Sequence, residues 1–270
     1  MKPGVVVAIL IVSTTAALFV EGRSLSQFSA TASAAEACAF GPGVDRWDIK
    51  TSVRQNGQRP ATISVGALIG AQNISKPSGD LSRKGQLDNW VAHDPRFVSA
   101  LHQQQKYLTI HRTMSGSAID AVDRIFENYG LSFKGYIKDP IQLDGHVHHE
   151  GDMVSVRGVI FAMKCEGSGA HPDGDFHADF MSNSTGQGKC AIVEVPRPVW
   201  IRDHNLRSQV ELARQKFVAL STSLPVSVTI TGQLFYDLSH SPTVPQRGHG
   251  FCAHTLWEIH PVTSVSPSEG

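Results

Sequence analysis

The C-terminal half of the chain changes its apolar period in a fixed order. From Gly151 onward, apolar residues recur at every second position in three separate runs, then at helical spacing in one, then at every second position in two more. A period of two sends alternate side chains to opposite faces of a strand. Spacings of three and four collect them on one face of a helix. Val154, Val156 and Ile160 alternate with Ser155 and Arg157, with Gly158 between them. Phe176, Ala178 and Phe180 alternate with His177 and Asp179. Cys190 to Val195 (CAIVEV) is the third run, ended by Pro196 and Pro198. Leu206, Val210, Ala213, Phe217 and Leu220 follow at spacings of four and three, with Asp203 or Asn205 placed to cap a helix. Val226, Val228, Ile230 and Leu234 alternate with Ser227, Thr229, Thr231 and Gln233, and Leu256 to Val262 (LWEIHPV) is the last run.

Three strands, one helix and two strands is the order of the OB-fold, a small five-stranded barrel. The sequence therefore predicts a mainly β chain with helices (α+β). Its centre is an OB-fold-like five-stranded barrel of strand order β-β-β-α-β-β over residues 146–266, followed by a short tail at 267–270. An open α+β sheet is the competing architecture. Gly158 favours closure, because a glycine inside a strand marks a bend or bulge and a barrel needs strong local curvature. Residues 35–83, rich in Gly, Pro, Ser, Asn and Gln, read as an irregular arm with weak strand signals at Ala61 to Ile69. Residues 84–145 read as a helical segment. Asp94 and Pro95 suit a helix start, and Ile119, Val122, Ile125, Phe126 and Tyr129 form an apolar stripe before Gly130.

The N-terminus reads as an export signal over residues 1–34. Lys2 precedes an uncharged run from Val5 to Val20, too short for the roughly 20 residues that span a bilayer. Ala32-Ser33-Ala34 then offers a small-residue cleavage site. An uncleaved anchor is the alternative, and it is the one route by which this chain would engage a membrane. Export predicts a periplasmic or secreted location and gives the four cysteines, Cys38, Cys165, Cys190 and Cys252, an oxidising setting. None forms a C-x-x-C pair. In an OB-like barrel the third and fifth strands run side by side, so Cys190 and Cys252 fall at the same end. The expected bridges are Cys190–Cys252 and, by elimination, Cys38–Cys165.

Composition narrows the partners. Lys and Arg number 24, Asp and Glu 24, and aromatics are 7% of the chain. Nucleic acid is an unlikely partner, since it asks for clustered basic charge with stacking rings. There is no nucleotide-binding glycine loop, no G-x-S-x-G elbow and no H-E-x-x-H helix.

Several blocks resemble a family of uncharacterised exported bacterial proteins. They are DRWDIKTS (Asp45 to Ser52), DGDFHADF (Asp173 to Phe180), IVEVPRP (Ile192 to Pro198), VTITGQLFYD (Val228 to Asp237) and WEIHPVTSV (Trp257 to Val265). The resemblance spans roughly the last 120 residues plus the arm, and the chain ends in that family's WE-x-HPV pattern. It implies the same compartment and an OB-fold-like C-terminal domain, and it implies no activity.

The candidate site residues fall in five places. His146, His148 and His149 form the densest histidine cluster and are the candidate metal ligands, with His146 and His148 on one face of an extended strand. Asp173, Gly174 and Asp175 look like the start of a calcium loop, but a turn between strands accounts for them more simply. His177 and Asp179 are expected to point out of the barrel as part of a binding face or a solvated one. Glu258 and His260 share one side of the last strand, as a structural lock or an acid–base pair. Arg197, between two prolines, and Arg247 are candidate anion contacts. No residue earns a catalytic assignment and no cofactor is expected. The reading favoured is a non-catalytic binding or interaction module of the bacterial envelope or exterior, its partner an oligosaccharide, a peptide or an envelope protein. The alternatives are a metal-assisted hydrolase, a nuclease or phosphodiesterase, on the same barrel, and a structural envelope protein.

Overall fold

A computed structural model of the chain describes residues 47–54, 59–75, 136–165, 174–198, 201, 203–237 and 252–268. The export signal, Cys38, Asp173, Arg247, the helix start expected at Asp94 and the helical stripe expected from Ile119 to Tyr129 lie outside these residues. The described elements are α1 (Trp47–Lys50), β1 (Ala61–Ser64), α2 (Val65–Ile69), β2 (Ile141–Leu143), β3 (His146–His148), β4 (Met153–Cys165), β5 (Phe176–Met181), β6 (Cys190–Val195), α3 (His204–Leu220), β7 (Val226–Tyr236) and β8 (Ala253–Pro267).

Five of the strands close into a mixed barrel, as the order of elements predicted. β4 pairs antiparallel with β5 through its second half and with β7 through its first. β5 pairs antiparallel with β6, β6 runs parallel to β8, and β8 returns antiparallel to β7. A long strand in a closed barrel must coil strongly. The register of β4 with β5 slips between Ile160 and Ala162, two residues after Gly158. At Gly158 a Cβ would lie 2.6 Å from Phe180 Cζ and 2.9 Å from the Met181 carbonyl oxygen. Glycine there lets the next strand pass close by.

The helix between the third and fourth barrel strands is α3. Asp203 caps it, accepting a 2.7 Å hydrogen bond from Leu206 N. Its buried stripe of Leu206, Val210, Ala213, Phe217 and Val218 packs against β8 and β6. Arg214 lies over the Phe176 ring at 4.2 Å and donates to the carbonyls of Val195 and Gly174. The face carrying Phe176, Ala178 and Phe180 is therefore the one that α3 closes.

The opposite face of the barrel is covered as well. Both faces of β5 and β6 are buried along their whole lengths. The arm expected to be irregular packs onto the barrel in several places. Part of it is regular: β1 adds in parallel beside β4, and α2 follows directly, capped by Ser64 Oγ on Ala67 N. α2 packs against β8, β6, β4 and β5. Beyond it, Gln72 O accepts from Trp257 Nε1, Asn73 Oδ1 accepts from Leu256 N at 2.7 Å, and Ile74 N donates to Tyr236 Oη at 2.7 Å. The 47–54 segment is tied down by buried Gln233 on β7. Its carboxamide oxygen accepts from Arg54 N at 2.8 Å and from Tyr136 Oη at 3.1 Å, and its nitrogen donates to Ile49 O and Ser52 O.

One boundary needs correction. Residues 141–145 belong to a β-hairpin and not to the helical segment 84–145. β2 and β3 pair antiparallel across Asp144 and Gly145, both at positive φ. A two-residue turn of this kind suits an Asp-Gly pair. The expected bridge Cys190–Cys252 is present, with 5.2 Å between Cα atoms. Cys190 N also donates to Cys252 O. Cys165, at the end of β4, is disulfide-bonded rather than a thiol, while its expected partner Cys38 lies outside the described residues. The Cys190–Cys252 bridge fits an oxidising compartment.

Candidate functional site

Strand register assembles the site. Residues directly opposite one another on paired strands project from the same face. Lys164, His177 and Glu194 are opposed across β4, β5 and β6. Ala162, Asp179, Ile192, Glu258 and Phe235 form the adjoining row across β4, β5, β6, β8 and β7. His260 lies two residues beyond Glu258, so it returns to this face beside Glu194. Asp175, just before β5, completes the group. This is the face away from Phe176 and Phe180, as expected of His177 and Asp179. It is not exposed: Asp175, His177, Asp179, Glu194, Glu258 and His260 are each at most 5% accessible. The 47–54 segment lies over it, and Lys50 reaches in from α1.

Glu194 is the hub. His177 Nδ1 lies 2.8 Å from Oε1, in hydrogen-bonding geometry. His260 Nδ1 lies 2.8 Å from Oε2, and Lys50 Nζ lies 3.8 Å from the same oxygen. His260 Nε2 faces Asp175 Oδ2 at 3.4 Å. Asp175 Oδ1 accepts from Arg197 N at 3.2 Å. Neither ring nitrogen of His260 makes a hydrogen bond, although both are fully buried. The carboxylate oxygens approach it off the N–H directions, as charge contacts.

Burial opposes ionisation of Glu194 most strongly. The Lys50 charge and the contacts from His177 and His260 overcome it and hold the carboxyl well below its ordinary range. Burial likewise opposes protonation of His260, but Asp175 and Glu194 on either side raise its pKa to about 9, with Lys50 working against them. At neutral pH the centre of the site is thus an imidazolium and an ammonium around the Glu194 carboxylate.

The other candidate residues are placed as follows. Glu258 and His260 do share a side of β8 and are both buried, but the partners of His260 are Glu194 and Asp175, not Glu258. Arg197 is 7% exposed, which does not suit a contact for an outside anion, and it meets the cluster through its backbone N–H. His146, His148 and His149 lie apart, on and after β3. His146 is exposed, His148 is buried with Nδ1 3.7 Å from Asp152 Oδ2, and His149 N donates to that same carboxylate. They are not brought together as a three-ligand group. Asp179 lies near Cys190 and Cys252, whose sulfurs are joined and so coordinate nothing.

Two members were not singled out from sequence, and a third was weighed as a calcium-loop residue but read as part of a turn. Asp175 looked like a turn residue. Lys50 sits in an arm with no visible period. Glu194 carried a usable signal, because an acid at the same parity as Cys190 and Ile192 in CAIVEV must be buried with partners or not at all. Comparison of the chain with protein-family models, curated proteins and solved structures finds no match.

Proposed function

We propose that this chain is an exported, non-catalytic binding or interaction module of the bacterial envelope or exterior, with residues 1–34 serving as its export signal and the mature chain periplasmic or secreted. One observation carries the reading. OB barrels take ligands along their second and third strands, and here the charged groups on that face are neutralised by one another beneath the chain's own 47–54 segment. A catalytic acid or base must come within hydrogen-bond reach of a substrate, whereas His177, Glu194 and His260 are 4%, 5% and 0% exposed. The Glu194 network is better suited to locking the arm onto the barrel than to chemistry. The partner, an oligosaccharide, peptide or envelope protein, then engages surface outside this cluster.

The test is capture of partners from an envelope extract by immobilised mature chain, together with the N-terminal mass of the exported protein. Saturable capture and an N-terminus at Ala35 support the reading. A second reading, a metal-assisted nuclease or phosphodiesterase, is favoured by the convergence of Asp175, Glu194 and His260, whose ligand atoms lie within 4.8 Å of one another. Divalent-metal-dependent phosphodiester cleavage by the wild type, lost in His260→Ala, would replace the binding reading with this one.

A further inference from the structure

We propose that Asp175, Glu194 and His260 form a closed binding centre for a divalent transition metal, with Zn2+ as the best-matched ion. The proposal goes beyond the binding-module reading and does not depend on it.

Three side chains from separate strands meet here. Asp175 precedes β5, Glu194 stands on β6 and His260 on β8, so the barrel itself fixes their separation. The set is two carboxylates and one imidazole, a mixture that suits a borderline metal such as zinc better than calcium, which takes six to eight oxygens. Zinc bonds to nitrogen and oxygen at about 2.0–2.2 Å, which in a tetrahedron places neighbouring ligand atoms about 3.3 Å apart. His260 Nε2 and Asp175 Oδ2 lie 3.4 Å apart. One ligand atom from each of the three residues falls within 4.8 Å of the other two.

The second observation is His260 itself. Its ring is 0% exposed, both nitrogens lack a hydrogen bond, and carboxylate oxygens press on it off the N–H axes. A buried polar ring ordinarily finds aligned partners. Asp175 faces Nε2 and Glu194 faces Nδ1, so a cation at Nε2 would sit beside Asp175, with the Glu194 carboxylate turning from Nδ1 to complete the set. Three protein ligands leave the fourth position of zinc to water or another group, and the site is enclosed by Lys50 and the 47–54 segment. Two competitors must leave: the Lys50 ammonium, 3.8 Å from Glu194 Oε2, and the ring proton of His260, since an imidazole binds metal only when neutral. His177, hydrogen-bonded to Glu194 Oε1, is the positioning residue that orients the carboxylate from behind.

The experiment uses the mature, disulfide-intact chain stripped with chelator, reloaded with Zn2+ and desalted. Bound metal is counted by mass spectrometry, and thermal unfolding is followed with and without Zn2+. One retained equivalent and a higher unfolding temperature are expected in the wild type and in His148→Ala. His260→Ala and Asp175→Asn should bind at least about 100-fold more weakly. Should those variants fail to fold, anomalous diffraction at the zinc edge from wild-type crystals decides, with a peak between Asp175, Glu194 and His260. A wild type that retains no zinc overturns the centre. So does binding that survives in His260→Ala, or a peak at His146 or His148 alone. The binding-module reading stands or falls separately, on partner capture.

Discussion

Glu194→Gln keeps the shape of the side chain and removes one buried negative charge. That charge is faced by His177 at 2.8 Å, His260 at 2.8 Å and Lys50 at 3.8 Å. Removing one partner of a buried ion pair costs about 3–5 kcal/mol, because the charge left behind is stranded in the interior. His260 keeps Asp175 at 3.4 Å, so the lower end, about 3 kcal/mol, applies. The assay is urea unfolding of chelator-treated protein with its disulfides intact, followed by fluorescence of the fully buried Trp257. It should be run across pH, because the two titrating groups bias stability in opposite senses. His260 is raised from 6.5 to about 9, so its contribution is complete below pH 6.5 and is lost as the pH rises through about 9. A displacement of that size is worth about 3 kcal/mol. Glu194 is lowered well below 4.5, so its contribution is present above that pH and is lost on acidification. The metal-free wild type should therefore be most stable between about pH 4.5 and 6.5. In Glu194→Gln the alkaline loss should shrink, since one of the two carboxylates that raise His260 is gone. A destabilisation under about 1 kcal/mol, or an alkaline limb identical to the wild type, refutes this account of the cluster.

The remaining predictions concern the frame around it. Replacing both Cys190 and Cys252 by Ala removes a link that spans 62 residues, a loop-closure effect of about 4 kcal/mol; guanidinium unfolding of the double variant measures it, and no change would show that the bridge constrains nothing. Gly158→Ala drives a methyl against Phe180 and the Met181 carbonyl and should cost about 1–3 kcal/mol by thermal unfolding; a neutral result would mean that β4 can straighten freely. Asp203→Ala removes the acceptor of Leu206 N and should cost about 1 kcal/mol, recovered in Asp203→Asn, with helix content by circular dichroism as the check.

The barrel was legible because each element carried its own period. Val226 to Leu234 can bury one set of side chains only as a strand, and Leu206 to Leu220 only as a helix. The Cys190–Cys252 bridge followed from topology alone. The last strand was read too short: β8 runs from Ala253 to Pro267 and passes through Pro261. The burial of His177 and Asp179 could not be read from DFHADF. Local alternation reports which face a residue takes, but not what covers that face. The cover includes Lys50 and its segment, more than 100 residues earlier, and no period in that segment announces it. Glu194 was the exception, an acid within an otherwise apolar strand. The histidine cluster at 146–149 shows the opposite error. Density in sequence suggested convergence, but His146 is exposed while His148 is buried, and the three residues do not meet at one ligand point.

Gln233 and Asn73 have a bearing on the order of assembly. Gln233 Nε2 donates to Ile49 O across 184 positions of chain, and Leu256 N donates to Asn73 Oδ1 across 183. The segment made early can settle only onto strands made late. Such distant contacts slow folding, since the chain between them must be ordered before they form. Until the 47–54 segment settles onto the assembled strands, the Glu194 side of the barrel stays open to water, and any ion bound for that centre would have its chance to enter during this interval.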